Sequence, residues 1–222
     1  MPPTFDSALN ALRKRYGEAS FPPVRGPWQW VLWENVVYLA DDARRAAAFE
    51  VLRQNTEFEP DAILDADDDA LLIATSTGIL AKQQAGKLRE CAQIALDDFH
   101  GNLDIVLDWP PIKAIRALRQ FPGIGTPGAE KILMFEGAFK QLALDSNGLR
   151  VLLRLGFGEE QKAYAATYKS VREALGTQAP TQSAELAQAH MLLRQLGLQV
   201  CTRNNPNCAA CPLKALCPRS RG

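Results

Sequence analysis

Long apolar runs are missing from this sequence of 222 residues. No stretch approaches the roughly eighteen consecutive apolar residues that a membrane-spanning helix needs, so we expect no membrane association. The first residues, Met-Pro-Pro-Thr-Phe-Asp, also lack the basic and then apolar parts of a secretory signal. These absences predict a cytoplasmic protein. Hydrophobic residues still make up 47% of the chain, which is enough to build a buried core.

The sequence also lacks net charge, because Lys and Arg total 25 and Asp and Glu total 25. Nucleic-acid-binding proteins are often basic overall, so neutrality argues against a uniformly basic surface. The charges are nevertheless unevenly distributed. Acidic residues crowd positions 57–69, whereas the end of the chain is basic, with Arg194, Arg203, Lys214, Arg219 and Arg221.

Strand-like alternation of polar and apolar residues is almost absent as well. Apolar residues recur instead with the period of about 3.6 that is typical of amphipathic helices. Pro, Gly or Asn marks the short connections, and there is no internal repeat. The fold class is therefore predicted to be all-α. The helices are expected over residues 5–17, 27–38, 42–54, 60–66, 68–74, 80–99, 103–108, 111–120, 127–137, 146–155, 160–175 and 182–199.

Cysteines are few but clustered. Four of the five lie at the end of the chain, separated by six, two and five residues: Cys201, Cys208, Cys211 and Cys217. Four thiolates in so short a loop predict a metal site, either an iron–sulfur cluster or a tetrahedral zinc, and the spacing alone does not choose between them. Cys91 stands alone in a helical pattern and is expected to be a buried apolar residue.

A tight turn joins two helical patterns at Phe121, Pro122, Gly123, Ile124 and Gly125. Glycines permit positive φ and leave the main-chain amides uncovered. Together with the start of the next helix, such amides can bind a phosphate without any side-chain charge. The simpler interpretation is an ordinary corner between two helices.

Two carboxylates draw attention beside these motifs. Asp145 precedes an apolar-periodic run and is, on the simplest interpretation, the N-cap of a helix. Glu34 lies among tryptophans and valines, where burial would raise the pKa of its carboxyl group, as suits a general acid. The alternative is a solvated glutamate or one paired with an arginine.

Taken together, these motifs resemble the endonuclease III and adenine DNA glycosylase superfamily. The cysteine spacing after a C-terminal helix is similar to that of the superfamily's cluster loop. The tripeptides Cys-Thr-Arg and Cys-Pro-Leu within this loop are similar to those of the adenine branch. The Phe-Pro-Gly-Ile-Gly turn resembles the family's Leu-Pro-Gly-Val-Gly helix-hairpin-helix. Hairpin, aspartate and cysteine loop follow in the family's order, so the resemblance covers nearly the whole chain.

The resemblance implies a [4Fe–4S] cluster on the four cysteines and two helical domains with a DNA-binding cleft between them. Residues 22–133 would form a helical barrel domain that includes the hairpin. Residues 1–21 and 134–222 would form a discontinuous cluster domain. The hairpin residues 121–125 would bind DNA.

The family match also assigns roles to the two carboxylates. The segment Leu-Asp-Ser-Asn-Gly-Leu-Arg-Val-Leu-Leu-Arg is similar to the adenine branch's Leu-Asp-Gly-Asn-x-x-Arg-Val-Leu-x-Arg, which makes Asp145 the catalytic aspartate. A fixed anion there would stabilise positive charge that develops on the deoxyribose. Glu34 falls where that branch has its catalytic glutamate, and the two acids would face each other across the cleft.

Two departures from the family pattern qualify this assignment. Bifunctional family members carry a Schiff-base lysine where this chain has Pro127, and Lys131 lies one turn further on, about 6 Å away. Leu39 falls where a gap-filling glutamine would be, although an apolar wedge can still unstack DNA and Tyr38 could stack on a flipped base. The chain also ends soon after the cysteine loop, so no domain for reading 8-oxoguanine is expected.

The sequence therefore predicts a monofunctional DNA glycosylase of base excision repair. Its partner would be double-stranded DNA with a damaged or mismatched base, and we expect a monomer associated with the nucleoid. Three alternatives stay open: a non-catalytic homologue that binds damaged DNA, an alkylated-base glycosylase, and a bifunctional glycosylase and AP lyase that uses Lys131. No motif identifies the excised base.

Overall fold

The structure is a computed structural model that describes residues 3–221. It confirms the all-α class, since the described residues contain no strand and only one isolated β-bridge, between Tyr38 and Ile79. The α-helices in chain order are α1 (Phe5–Tyr16), α2 (Gly26–Asn35), α3 (Asp42–Thr56), α4 (Pro60–Asp65), α5 (Asp68–Thr75), α6 (Ala81–Phe99), α7 (Pro111–Leu118), α8 (Thr126–Phe135), α9 (Ser146–Leu155), α10 (Tyr164–Leu175) and α11 (Ser183–Gln199).

Short 3₁₀ helices fill several connections. They span Leu103–Asp108, Gly176–Gln178, Cys208–Ala210 and Pro218–Arg221. The helix expected at 103–108 has those bounds and is a 3₁₀ helix, a type common in short segments. The helix expected over 27–38 ends earlier, at Asn35.

The chain divides into two compact units. The continuous unit is Pro22–Ala138, and the discontinuous unit comprises the described residues up to Phe21 together with those from Phe139 onward. Each unit has its own hydrophobic core, as expected of a compact domain.

In the continuous unit, α6 packs against α2, α4 and α5. Its buried face repeats at helical spacing and includes Leu88, Cys91, Ala95 and Phe99. Full burial of one such large apolar side chain contributes about 1.5–3 kcal/mol. This central helix positions the elements that carry Asn35 and the hairpin.

In the discontinuous unit, α9 packs closely on α11. A Cβ on Gly197 would come within 2.8 Å of the Asn147 carbonyl oxygen, so only glycine allows this approach. Phe5 of α1 contacts Phe157 edge to face, with ring centroids 6.2 Å apart. The approach of Gly197 to Asn147 fixes the start of α9, and with it Asp145, against α11.

Among the described residues, no helix is both long and apolar enough to cross a membrane.

Candidate functional site

The turn between α7 and α8 is anchored by two apolar side chains. Phe121 is 2% exposed and stacks on Phe99 at a centroid distance of 5.7 Å. Ile124 is also buried, and its amide bonds back to the Phe121 carbonyl oxygen at 3.1 Å. Both side chains belong to the core of the continuous unit, so the parts of this turn that a ligand can reach are its exposed main chain and the partly exposed Pro122.

Asn35 braces the same turn from the end of α2. Its Nδ2 donates to the Pro122 carbonyl oxygen at 2.8 Å and to the Val31 carbonyl oxygen at 3.0 Å. A Cβ on Gly123, which has φ +74°, would lie 3.0 Å from Asn35 Oδ1. Gln84 of α6 donates to the Asn35 carbonyl oxygen at 2.9 Å. Sequence reasoning missed Asn35, although an amide inside an apolar run was a visible signal.

The main chain at the start of α8 is uncovered. Gly123, Gly125 and Thr126 are exposed, and Gly125 is an N-cap without a side chain to cap the helix. Ala129 is the first residue of α8 whose amide bonds back along the chain, to Gly125 at 2.9 Å. The amides before it are those that every helix leaves unpaired at its start. Pro127 is the second residue of α8 and contributes no amide.

Asp145 is the N-cap of α9. Its Oδ1 accepts from the amides of Asn147 at 3.0 Å and Gly148 at 2.7 Å, and its Oδ2 accepts from Asn147 Nδ2 at 3.0 Å. Arg194 Nε of α11 lies 3.6 Å from Oδ2. The carboxylate is 23% exposed. It is thus a rigidly held anion with access to solvent, and the capping role does not exclude a catalytic one.

Glu34 is paired with Lys131. The Lys131 Nζ is 2.6 Å from Glu34 Oε1, and the two side chains are 14% and 28% exposed. The ammonium also lies 5.7 Å from the centre of the Trp30 ring. Sequence reasoning placed Glu34 in an apolar setting that favours the neutral acid. A lysine at this distance favours the charged form instead.

Four apolar side chains form an exposed patch on the continuous unit, which we call the wedge surface. Tyr38 and Leu39 are 46% and 71% exposed, and Leu39 adopts φ +52°, which is uncommon for a leucine. The Ile79 amide bonds to the Tyr38 carbonyl oxygen at 3.1 Å, which brings in Ile79 and Leu80 at 51% and 55% exposure. The pairing of these two loops was not predictable from Tyr38 and Leu39 alone.

The four C-terminal cysteines line one pocket in the discontinuous unit, together with Arg154 of α9. Arg154 Nη1 donates to the carbonyl oxygens of Thr202 at 2.7 Å and Cys201 at 3.3 Å, and also reaches Cys201 Sγ at 3.3 Å. Within the described residues, no three His, Cys, Asp or Glu side chains are grouped as a site for a single metal ion. The four cysteines and Arg154 therefore border the same pocket.

No protein-family model matches the chain. Endonuclease III from Sulfolobus acidocaldarius is 27% identical over 178 residues, which cover 79% of this chain and 74% of that protein. The adenine DNA glycosylase of Mycolicibacterium smegmatis is 29% identical over 143 residues, 63% of this chain and 44% of that protein.

A solved structure of a trapped endonuclease III–DNA covalent intermediate matches the fold with a TM-score of 0.76. The match covers 99% of this chain and 98% of that one, at 20% sequence identity. The chain is thus similar in sequence to endonuclease III and adenine DNA glycosylases, and it shares the fold of the endonuclease III structure. Helices α7 and α8, with the turn at 119–125 between them, form the segment predicted to be a helix-hairpin-helix, and Asp145 precedes α9, the helix that follows.

Proposed function

We propose that this protein is a DNA glycosylase that hydrolyses the N-glycosidic bond of a damaged or mismatched base. The observation that carries the proposal is the Asp145 carboxylate, fixed by two main-chain amides at the start of α9 and near Arg194. Breaking the glycosidic bond builds positive charge on the deoxyribose. A preorganised anion stabilises that charge without reorganising during the reaction. The same carboxylate can orient the attacking water.

DNA binding is assigned to the continuous unit. The uncovered amides around Gly125 and Thr126 suit a backbone phosphate, which main-chain N–H groups at a helix start bind well. The wedge surface offers apolar side chains that can enter the base stack where a nucleotide leaves it. Leu39 is the most exposed of the four side chains.

Protonation of the leaving base is assigned to Glu34 as a secondary role. The Lys131 ammonium at 2.6 Å stabilises the ionised carboxylate, so Glu34 can donate a proton only when that ion pair opens. We therefore rest the catalytic proposal on Asp145. Excision that survives Glu34→Gln would remove Glu34 from the mechanism without affecting Asp145.

The proposed chemistry is monofunctional. Pro127 occupies the position of the Schiff-base lysine and has no amine to offer. Lys131 is the nearest lysine on α8, but it is 14% exposed and held in its ion pair with Glu34. That ion pair would have to open before the Lys131 amine could reach a sugar.

The four cysteines and Arg154 fit a [4Fe–4S] cluster. All four thiols face one pocket, and the Arg154 cation bonds to carbonyl oxygens there rather than to a carboxylate, so it complements the negative charge of a thiolate cluster. Cys201, Cys208, Cys211 and Cys217 would hold the group. When bound it supplies structural organisation to a loop with little apolar content.

One experiment tests the proposed activity. The purified protein is incubated with duplexes that each carry one lesion or mismatch, and the products are resolved with and without alkali. Strand cleavage only after alkali indicates excision without lyase activity. Borohydride should trap no covalent complex with abasic DNA. A trapped adduct that disappears in Lys131→Ala would show that Lys131 acts as a lyase nucleophile.

A second candidate function is DNA binding without catalysis. The Glu34–Lys131 ion pair favours it, because the carboxyl group of the second candidate catalytic acid is already bound to a lysine. Binding to duplexes without excision of any base in the panel would support it.

A further inference from the structure

A second pocket lies in the discontinuous unit and shares Arg154 and Arg219 with the cysteine pocket. Its volume is about 460 Å³, within the range of small-molecule sites. It is bounded by α9, the segment 156–163, the start of α10 and the cysteine loop. Its chemistry is set by five cations and one aromatic ring: Arg150, Arg154, Lys162, Arg203, Arg219 and Tyr164.

The Arg150 and Arg154 cations of this pocket donate to neutral carbonyl oxygens, and Asp145 also acts electrostatically on Arg150. Arg150 donates to the carbonyl oxygens of Gly197 at 2.7 Å and Cys201 at 2.9 Å, which are neutral acceptors. Across the described part of the chain, no carboxylate lies within 4.0 Å of any of the five. The lining includes one acid, Glu160, which is exposed. A protein without net charge thus concentrates positive charge at one concave site, where it can attract an anion.

Hydrogen bonds from the segment 156–163 to α10 hold the wall of the pocket. Thr167 Oγ1 of α10 accepts from the Gln161 amide at 2.8 Å, and Ser170 Oγ accepts from the Glu159 amide at 2.9 Å. A Cβ on Gly158 would lie 2.7 Å from the Val171 amide nitrogen, so this segment lies directly on α10. A preformed wall avoids the entropic cost of ordering a loop when a ligand binds.

The aromatic ring of the pocket is also held in place. Tyr164 is 48% exposed and stacks on Tyr168, with centroids 6.3 Å apart and planes at 27°. The Tyr168 hydroxyl accepts from the Leu144 amide at 3.3 Å, which fixes the ring beneath Tyr164. An exposed, supported aromatic face is a platform for a nucleobase.

We propose that this pocket binds a nucleotide other than the one that is excised, with the phosphate on the arginine and lysine groups and the base against Tyr164. The ligand class is a phosphorylated nucleoside. Its source is either a free mononucleotide or a nucleotide unit of the DNA strand. The proposal does not require that the protein excises a base.

Binding of deoxyguanosine 5′-monophosphate to the holoprotein by titration calorimetry tests this site. The nucleoside without phosphate should bind at least about tenfold more weakly, because it loses charge-assisted hydrogen bonds. Tyr164→Leu should weaken the nucleotide by about tenfold and leave inorganic phosphate unchanged. Lys162→Ser should weaken both ligands, whereas Lys169→Ser, an exposed lysine of α10 outside the pocket, should weaken neither.

Two results would overturn the assignment. One is equal binding of nucleoside and nucleotide, and the other is nucleotide binding that is unaffected by both Lys162→Ser and Tyr164→Leu. A competition arm separates the two sources. Displacement of an undamaged duplex by the mononucleotide supports a DNA strand as the natural occupant, while simultaneous binding supports a free nucleotide. None of these readouts depends on excision, so failure here is distinct from failure of the proposed glycosylase activity.

Discussion

At the scale of single residues, Asp145 combines two roles that are easily confused. An aspartate before a helix is most often a cap, and Asp145 is one. What distinguishes it is its second oxygen, which accepts from Asn147 Nδ2 at 3.0 Å and lies 3.6 Å from Arg194 Nε. The cap fixes the carboxylate, and a fixed carboxylate is what electrostatic catalysis needs.

Asp145→Asn should abolish most excision and leave the fold intact. The amide oxygen can still accept from the Asn147 and Gly148 main chain, so the helix remains capped. The new amide nitrogen would lie against two donors, Asn147 Nδ2 and Arg194 Nε, which should lower the free energy of unfolding by about 1 kcal/mol. Excision should fall about 100- to 1,000-fold, as when other electrostatic stabilisers are removed. Single-turnover kinetics and thermal unfolding check the two parts. Asp41→Asn, which changes the cap of α3, is the matched control for stability, and full excision by Asp145→Asn would contradict the mechanism.

Glu136 gives a pH-dependent prediction. Burial raises the pKa of this half-buried carboxyl above its ordinary value, partly opposed by a hydrogen bond from Trp30 Nε1 at 2.9 Å. A raised folded-state pKa means that stability from this group is present at low pH and is lost as pH rises through that value. Glu136→Gln should therefore be more stable than the wild type at pH 7, with the difference shrinking toward pH 4. Melting temperatures of both proteins measure this, and Glu90→Gln controls for loss of one exposed charge.

At the scale of elements, helix positions followed from periodicity because most helices are amphipathic and end at local signals. The exceptions have non-local causes. The pattern from Pro27 continues through Tyr38, but α2 stops at Asn35, whose side chain turns to the distant Pro122 carbonyl oxygen. The helical pattern predicts a start at residue 160, but α10 begins at Tyr164. The amides of Glu159 and Gln161 bond to the side chains of Ser170 and Thr167, so these residues do not continue the helix.

The candidate site divides in the same way. The cysteines, Asp145 and the glycine turn are short motifs, so the sequence shows them directly. The Glu34–Lys131 pair joins residues 97 positions apart, and the wedge surface joins two separate loops. Such pairs depend on how helices pack, and single-sequence patterns carry no information about that.

Gly125→Val tests the hairpin as an element. Gly125 has φ −86° and only Pro127 Cδ, at 3.9 Å, near an added Cβ, so the variant should fold. Its branched side chain would cover the amides at the start of α8 and weaken binding to all duplexes alike. Fluorescence anisotropy with damaged and undamaged duplexes measures this affinity. Unchanged affinity would show that the turn only connects two helices and does not bind DNA. Gly123→Ala is the contrasting variant, because φ +74° and Asn35 predict lost stability there.

The cysteine loop predicts a specific metal content. Protein purified without oxygen should be brown and contain about four irons per chain. Cys208→Ser should lose iron. Cys91→Ala should keep it, because Cys91 is fully buried in α6 and burial raises the pKa of its thiol to about 12. Iron analysis and visible absorption provide the measurement, and a colourless protein with one zinc would reject the iron assignment.

At the scale of the whole molecule, charge balance limits how the protein holds DNA. With 25 basic and 25 acidic residues and a hairpin that offers amides, few phosphates should be neutralised by side chains. The logarithm of the duplex affinity should therefore fall with the logarithm of salt concentration on a shallow slope, equivalent to about two to four phosphates. Binding titrations between low and physiological salt test this, and a steep slope would reveal a basic surface that the charge count hides.

The packing of α1 against distant residues of the discontinuous unit affects how this unit folds during synthesis. Helix α1 packs on α11, and two hydrogen bonds join residues 173 and 169 positions apart: the Phe5 amide to Gln178 and the Ala19 amide to Gln188. At about 5–20 residues per second, the ribosome delivers those partners roughly ten to thirty seconds after α1 emerges. During that interval the apolar face of the first helix has no native surface to cover it, while Pro22–Ala138 can already fold. Helix α1 thus waits for its native contacts after Pro22–Ala138 has all of its own residues, which leaves its apolar face open to chaperones during synthesis.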